Sequence, residues 1–427
     1  MSRAPASLSS PAAGTAPPPP EVPVERELMT PAVVHLGLHG LRDAHHTVYV
    51  DEIARQRLSL DWGLIRMEVQ PSGGQLPEDA PGQHRVQVSG SSREVTVLVD
   101  YITSGEDSEA LLEALAAPST KVVTVETDVH DPLLATGPAP EAAAVVHTYL
   151  ARALARRRSA GRAPFTVVAC DAPPRNGPRV RAAVLEVARR DDPELAAWIE
   201  EHGRFPSSVL DPVLAGTAGC PRWIVEDSFS DGRPPLEVVG AQFVTGTVPH
   251  ETLRMRLYDA TRCLAALLSA GSPARTTDEA LTAPAVRAAL EGFLDEAAAP
   301  VLQVPGVDLA QYRTDVVARL ADPRTGELLE PLQAAAAAAF PTLVLPSLRQ
   351  AVDQNHPRQR LVLALAAWMR SSAGAGRDAE ALLRRHRDVL GTLADEPHLV
   401  TELQEALDLL EAAEDAPHPT APLEELP

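Results

Sequence analysis

The stretch "PAVVHLGLHGLRDAHHTVYVDEIARQR", residues 31–57, decides the fold. Residues 31–37 are a short apolar run with β-branched side chains, the pattern of a strand buried on both faces. Glycines at 37 and 40 interrupt it, and residues 41–57 read as a helix. Strand, glycine turn and helix together open a βαβ unit.

The alternation continues along the chain. "DWGLIRMEV" (61–69), "REVTVLVDYI" (93–102), "KVVTVET" (121–127) and "FTVVACD" (165–171) read as strands. Helices are expected at 108–117, 139–161 and 177–190. Strands alternating with helices imply a parallel, doubly wound α/β sheet. From about residue 250 the strand signals fade, and Ala/Leu-rich stretches with helical spacing follow at 276–296, 308–320, 360–371 and 376–413. The expected organisation is a disordered Pro/Ala-rich tail (1–30), a Rossmann-type domain (31–248), an all-helical C-terminal domain (249–413) and a disordered polar tail (414–427).

Composition narrows the function. A length of 427 residues allows two or three domains, and only 4% are aromatic, so the core must be mostly Ala, Leu and Val. The net charge of −20 argues against nucleic acid or an anionic membrane as the main partner. No run approaches the ~18 apolar residues of a membrane span. The N-terminus lacks the basic start and apolar centre of a secretory signal. Cys170, Cys220 and Cys263 are odd in number and far apart, which suggests a reducing cytoplasm without a disulfide framework or zinc ribbon.

The turn after the first strand sits where a Rossmann fold holds a pyrophosphate against a helix N-terminus. Gly37, His39, Gly40 and His45 are the candidate cofactor-binding residues, but the pattern is G-x-H-G and not G-x-G-x-x-G. Glu68, near the end of the second strand, is the acid that would meet the ribose hydroxyls, although "VQPSG" follows it. His35, His39, His45 and His46 crowd the same region. His45 and His46 point about 100° apart on a helix, no H-E-x-x-H spacing is present, and no metal is expected.

Several segments resemble the mannitol dehydrogenase family of polyol-specific long-chain dehydrogenases, which includes fructuronate and tagaturonate reductases. "VVHLGLHGLRDAHHTVYVDEI" (33–53) is similar to that family's "hhGxGxFhRAHxAxYxDxL". "FTVVACDAPPRNGPRVRAAVLEVA" (165–188) is similar to its "TxxSCDNLPxNGxxxRxxVxxxA". "ELAAWIEEHGRFPSSVLDPVLAGT" (194–217) and "RWIVEDSFSDGRPPLEVVGAQFV" (222–244) match two further signatures in order, and the likeness spans roughly 32–350. It implies a Rossmann-type domain followed by a helical domain, and metal-free hydride transfer between NAD or NADP and a polyol, ketose or hexuronate.

The family's catalytic motif, K-x-x-x-x-N-x-x-H, opens the helical domain. The resemblance assigns the lysine as general base, the asparagine as oxyanion support and the histidine as a substrate holder. In "HETLRMRLYDATRC" (250–263) those positions are Arg254, Asp259 and Arg262. A guanidinium keeps its proton above pH ~12 and cannot be a base at neutral pH. An aspartate has no N–H to offer an alkoxide. On a regular α-helix Arg262 would lie ~80° and Asp259 ~140° from Arg254, and an Arg–Asp ion pair is the expected local result. Lys121, the single lysine, matches no catalytic position.

Other working parts differ as well. The family's "CDN" asparagine is Ala172, its "VDR" arginine is Pro212, its second lysine motif falls on alanines 335–339, and the residues after the turn are Leu41, Arg42 and Asp43. Architectural positions persist, among them Cys170, Asp171, Asn176, Gly177, Asp211 and Glu226. Two functional expectations follow. One is a non-catalytic binding module or a protein partner, for instance of an active paralogue. The other is a rewired reductase, in which Arg254 and Arg262 grip an acidic substrate analogue and Asp211, His45, Tyr258 or Asp259 relays the proton.

Overall fold

The computed structural model describes residues 26–38, 45–69, 84–88, 91–104, 109–127, 131–134, 141–299, 303–373 and 377–415. His39 and Gly40, with 41–44, lie outside the described residues, as do nearly all of both expected tails. Residues 26–30 of the first tail are structured: Arg26 Nε donates to Thr96 O at 3.0 Å, and Met29 is buried.

The opening stretch forms β1 (Pro31–Gly37) and α1 (His45–Arg55). Val34 and Leu36 enter one apolar cluster and Val33 enters another on the opposite face, so the run is apolar without alternation. β2 (Gly63–Val69) pairs parallel with β1. A two-stranded antiparallel ribbon, β3 (His84–Val88) and β4 (Ser91–Val95), comes before β5 (Leu98–Ser104). Then follow α2 (Glu109–Ala116), β6 (Val122–Glu126), α3 (Glu141–Ser159), β7 (Thr166–Ala169), α4 (Asn176–Asp191) and α5 (Pro193–His202). The main sheet has the order β5-β2-β1-β6-β7, all parallel.

The single strand expected at 93–102 is therefore two. The break falls at Thr96–Val97, whose backbone N–H groups donate to the buried carboxylate of Asp51 at 2.6 and 3.0 Å. With those donors satisfied by a side chain, the chain leaves one ladder and enters another.

The βα alternation also stops after α5. β8 (Ser208–Ala215), β9 (Pro221–Glu226) and β10 (Gln242–Val244) form a second sheet, with β8 and β9 antiparallel around a tight turn at Thr217–Gly219. The helical region begins with α6 (Val248–Leu253), a π-helical segment at Arg254–Asp259, and α7 (Ala260–Leu268).

The helix expected at 276–296 is α8 (Thr277–Ala280) and α9 (Pro284–Ala298), parted where Pro284 takes a first-turn position. α10 (Leu309–Leu320), α11 (Leu329–Leu343), α12 (Leu345–Asp353) and α13 (Gln359–Ala373) follow. The stretch 376–413 is not one helix. It comprises α14 (Ala379–Arg385), α15 (Arg387–Leu390) and α16 (Leu399–Asp415), and Gly391 at φ 58° turns the chain between them. Residues 329–353 are long and apolar enough to cross a membrane by composition alone. Their Leu332, Phe340, Leu343 and Leu348 instead fill the core of the helical domain.

Candidate functional site

Arg254, Asp259 and Arg262 meet where the helical domain borders β8. The π-helical segment brings them together. Its hydrogen bonds reach five residues back and not four, so Asp259 rises over Arg254 instead of ~140° away. Arg254 Nε lies 3.3 Å from Asp259 Oδ2, close enough for an ion pair but not aligned as a hydrogen bond. Arg262 Nη1 donates to Asp259 Oδ1 at 3.1 Å.

Two further acids complete the cluster. Asp131 Oδ2 accepts from Arg262 Nη1 at 2.8 Å and from Arg254 Nη2 at 3.4 Å. Glu327 Oε1 lies 2.8 Å from Arg262 Nε and 2.6 Å from its Nη2. Arg254 Nη1 donates to the Leu210 carbonyl at 3.1 Å. Every nitrogen of both guanidiniums but Arg254 Nε thus donates to the protein itself, and Arg254 Nε is held by the ion pair with Asp259 alone. No sequence motif marked Asp131 or Glu327. The one available signal was that two buried arginines need more acid than Asp259 supplies.

Burial pushes the Asp259 carboxyl up to about 6, only partly countered by Arg254 and Arg262. Burial also raises Asp131, but Arg262 and Arg254 outweigh it and hold that carboxyl below its usual value. Desolvation works against the charge on both arginines, yet the surrounding acids keep each proton more firmly than in water. Burial likewise pushes the Tyr258 hydroxyl up to about 12, beneath the guanidinium of Arg262 at 5.3 Å from the ring centre. Asp211 is buried in β8, raised by desolvation, and accepts from the Tyr312 hydroxyl at 3.0 Å and the Val213 N–H at 2.9 Å. It borders the cluster but serves as a tie between β8 and α10.

Little room remains. Leu134, Ala172, Pro173, Ser208, Glu251 and Met255 close around Arg254 and Asp259, leaving about 10 Å³. That is space for roughly one water, not a six-carbon chain.

The dinucleotide end is also altered. Gly37 ends β1, and a Cβ there would lie 2.9 Å from His35 Nε2. His35 Nδ1 is 2.9 Å from His46 Nε2 and 3.1 Å from Thr124 Oγ1. Burial holds the His35 pKa well below its ordinary value and that of His46 at about 3, so both rings are neutral core residues. His45 starts α1 on a different heading from His46. Glu68, 5% exposed, accepts from the Tyr101 hydroxyl at 2.5 Å and from Arg66 at 3.4 Å. The acid that would meet a ribose already accepts from Tyr101 and Arg66, and the glycine turn that would hold a pyrophosphate lies outside the described residues. Among the described residues no group of three or more His, Cys, Asp or Glu is placed to hold a metal ion.

A parallel sheet with a helical domain set against it defines a Rossmann-type, two-domain polypeptide of the dehydrogenase kind. Two family descriptions match it in series: the mannitol dehydrogenase Rossmann domain over residues 31–244 and the mannitol dehydrogenase C-terminal domain over 247–415. The chain belongs to the mannitol dehydrogenase family. It is 28% identical over 407 residues to a mannitol 2-dehydrogenase of Phaeosphaeria nodorum, covering 84% of this chain and 71% of the relative. It is 27% identical over 400 residues to a D-mannonate oxidoreductase of Escherichia coli, covering 82% of each. In fold it is similar to the Pseudomonas fluorescens mannitol 2-dehydrogenase solved with NAD and D-mannitol, at TM-score 0.69 and 22% identity over 95% of this chain and 96% of that one. A substrate-free D-sorbitol dehydrogenase gives a TM-score of 0.76 at 22% identity, over 94% and 96%.

Proposed function

We propose that this chain has lost the hydride transfer expected from its family and keeps the fold as a non-catalytic binding or partner module. The observation that carries this reading is the closed cluster: each nitrogen of Arg254 and Arg262 is engaged by Asp131, Asp259, Glu327 or the Leu210 carbonyl. Neither guanidinium takes a proton from an alcohol at neutral pH, and Asp259, the carboxylate that could, is held between Arg254 and Arg262. Lys121 lies elsewhere, 5.9 Å over the Trp62 ring. The same engagement weighs against a reductase that grips an acidic substrate through these arginines. An NAD-type cofactor is the family's expectation, and the buried, occupied Glu68 weighs against it here. The free thiols of Cys170, Cys220 and Cys263 suit a reducing compartment such as the cytoplasm.

The test is titration calorimetry with NAD⁺, NADH, NADP⁺ and NADPH, followed by spectrophotometric assay with mannitol, fructose and mannonate. The expected result is no binding below millimolar and no turnover. Micromolar binding accompanied by hydride transfer would overturn the proposal.

A further inference from the structure

β6 ends at Glu126, beside β1 at the point where the strand order reverses. In open α/β sheets that crevice, at the carboxyl ends of the strands, is where ligands bind. The next described residues after β6 and Thr127 are the turn Asp131–Leu134. Leu133 and Leu134 are 3% and 4% exposed and belong to the apolar cluster of the helical domain, with Leu253, Leu257 and Tyr258. Both leucines adopt left-handed backbone, at φ 48° and 66°. Such a conformation is disfavoured for a residue with a side chain and persists when the surroundings over-determine it. Here those surroundings include the core of the other domain. Leu134 also lines the residual space against Arg254 and Asp259.

Asp131, at the head of the same turn, is reached by both Arg254 and Arg262, at 3.4 and 2.8 Å. We infer that residues 131–134 form a latch that shuts the crevice between the domains, seated by Leu133 and Leu134 and locked by Asp131 between Arg254 and Arg262. A ligand approaching the cluster from the crevice must displace this turn. The latch does not rest on the loss of hydride transfer, because a catalytically active chain would need it to open.

The experiment is hydrogen exchange on the full chain, comparing the natural protein with Asp131→Asn and with the double variant Leu133→Gly/Leu134→Gly. Asp131→Asn removes the charge at nearly constant shape, and the double glycine variant tolerates the same positive-φ backbone while removing the seat. The expected result is exchange about tenfold faster or more at 131–134 and 254–262, with the amides of β1 and β6 unchanged. Unchanged exchange at both segments in either folded variant would overturn the latch. So would an equal acceleration in β1 and β6, since the turn would then be supporting the whole fold. Cofactor binding is not read in this experiment, so its outcome is separate from that of the calorimetry.

Discussion

Two buried polar networks are built in opposite ways. At the start of α4, Asn176 Nδ2 donates to the carbonyls of Asp171 and Ser208, both at 2.8 Å. Its Oδ1 accepts from the N–H of Gly177 at 2.8 Å and of Ser208 at 3.1 Å. Asp171 in turn accepts from the N–H and hydroxyl of Thr127 at 2.6 and 2.8 Å. The cluster at 254–262 instead sets four carboxyls, counting Asp211, against two guanidiniums, and leaves Arg254 Nε and Asp259 Oδ2 without an aligned hydrogen bond. The first network is a hydrogen-bonded joint built around an uncharged amide, with its one carboxylate, Asp171, held by Thr127. The second is charge held in place by charge, at a desolvation cost that only mutual pairing offsets. The first network holds Asp171 and Asn176, which the resemblance marks as architectural, and the second holds Arg254, Asp259 and Arg262, the positions to which the resemblance would assign catalysis.

That contrast breaks most directly at Arg262. Arg262→Ala leaves Asp131, Asp259 and Glu327 without their shared cation, and a loss of about 3–5 kcal/mol in urea denaturation is expected. A loss below ~1 kcal/mol would mean that water already screens the cluster. Asn176→Ala is the matching probe of the hydrogen-bonded joint. It removes four hydrogen bonds, to the carbonyls of Asp171 and Ser208 and from the N–H groups of Gly177 and Ser208, and about 2–3 kcal/mol is the expected cost. Because the two sites share no partner, the double variant should be additive within ~0.5 kcal/mol.

The two networks also differ in how they answer to pH. The Asp259 pKa is raised to about 6 in the folded protein, so the folded state holds its proton more tightly than the unfolded chain does. Its contribution is fully present below the ordinary aspartate pKa and is lost as pH rises through about 6. Asp131, lowered in the folded protein, has the opposite sign and contributes above the ordinary carboxylate range. The stability of the natural protein minus that of Asp259→Asn should therefore fall by about 2 kcal/mol between pH ~4 and ~7. A flat difference would show that Asp259 stays ionised across that range. Asn176→Ala has no ionising group to lose and should shift stability evenly with pH.

The parts legible in the sequence were those whose cause is local. β1 was readable because both its faces are covered, which leaves a continuous apolar run. The pairing of Asp259 with Arg254 and Arg262 was readable because the three lie within nine residues. What depended on distant partners was not. The break at Thr96–Val97 is set by Asp51, and the latch by arginines more than 120 positions further on, at separations no periodicity records. The π-helical segment belongs to the same class, since nothing in "RMRLYD" distinguishes it from an ordinary helix.

The smallest effect is expected where a motif-based view predicts the largest. Arg254→Lys/Asp259→Asn/Arg262→His restores the family's three residue types, yet no NAD-linked oxidation of mannitol should appear. A lysine at 254 would stand between Asp131 and Asp211, and neighbouring carboxylates hold an ammonium in its protonated form. Ala172 still lacks the amide of the family's asparagine, and the turn at 131–134 still fills the space. At the other end of the cleft, Glu68 remains bonded to Tyr101. Catalysis in this fold is a property of the emptied cleft as much as of the three side chains. Measurable turnover in the triple variant would mean that the cleft opens to cofactor and polyol on its own, and that the charged cluster alone silences this chain.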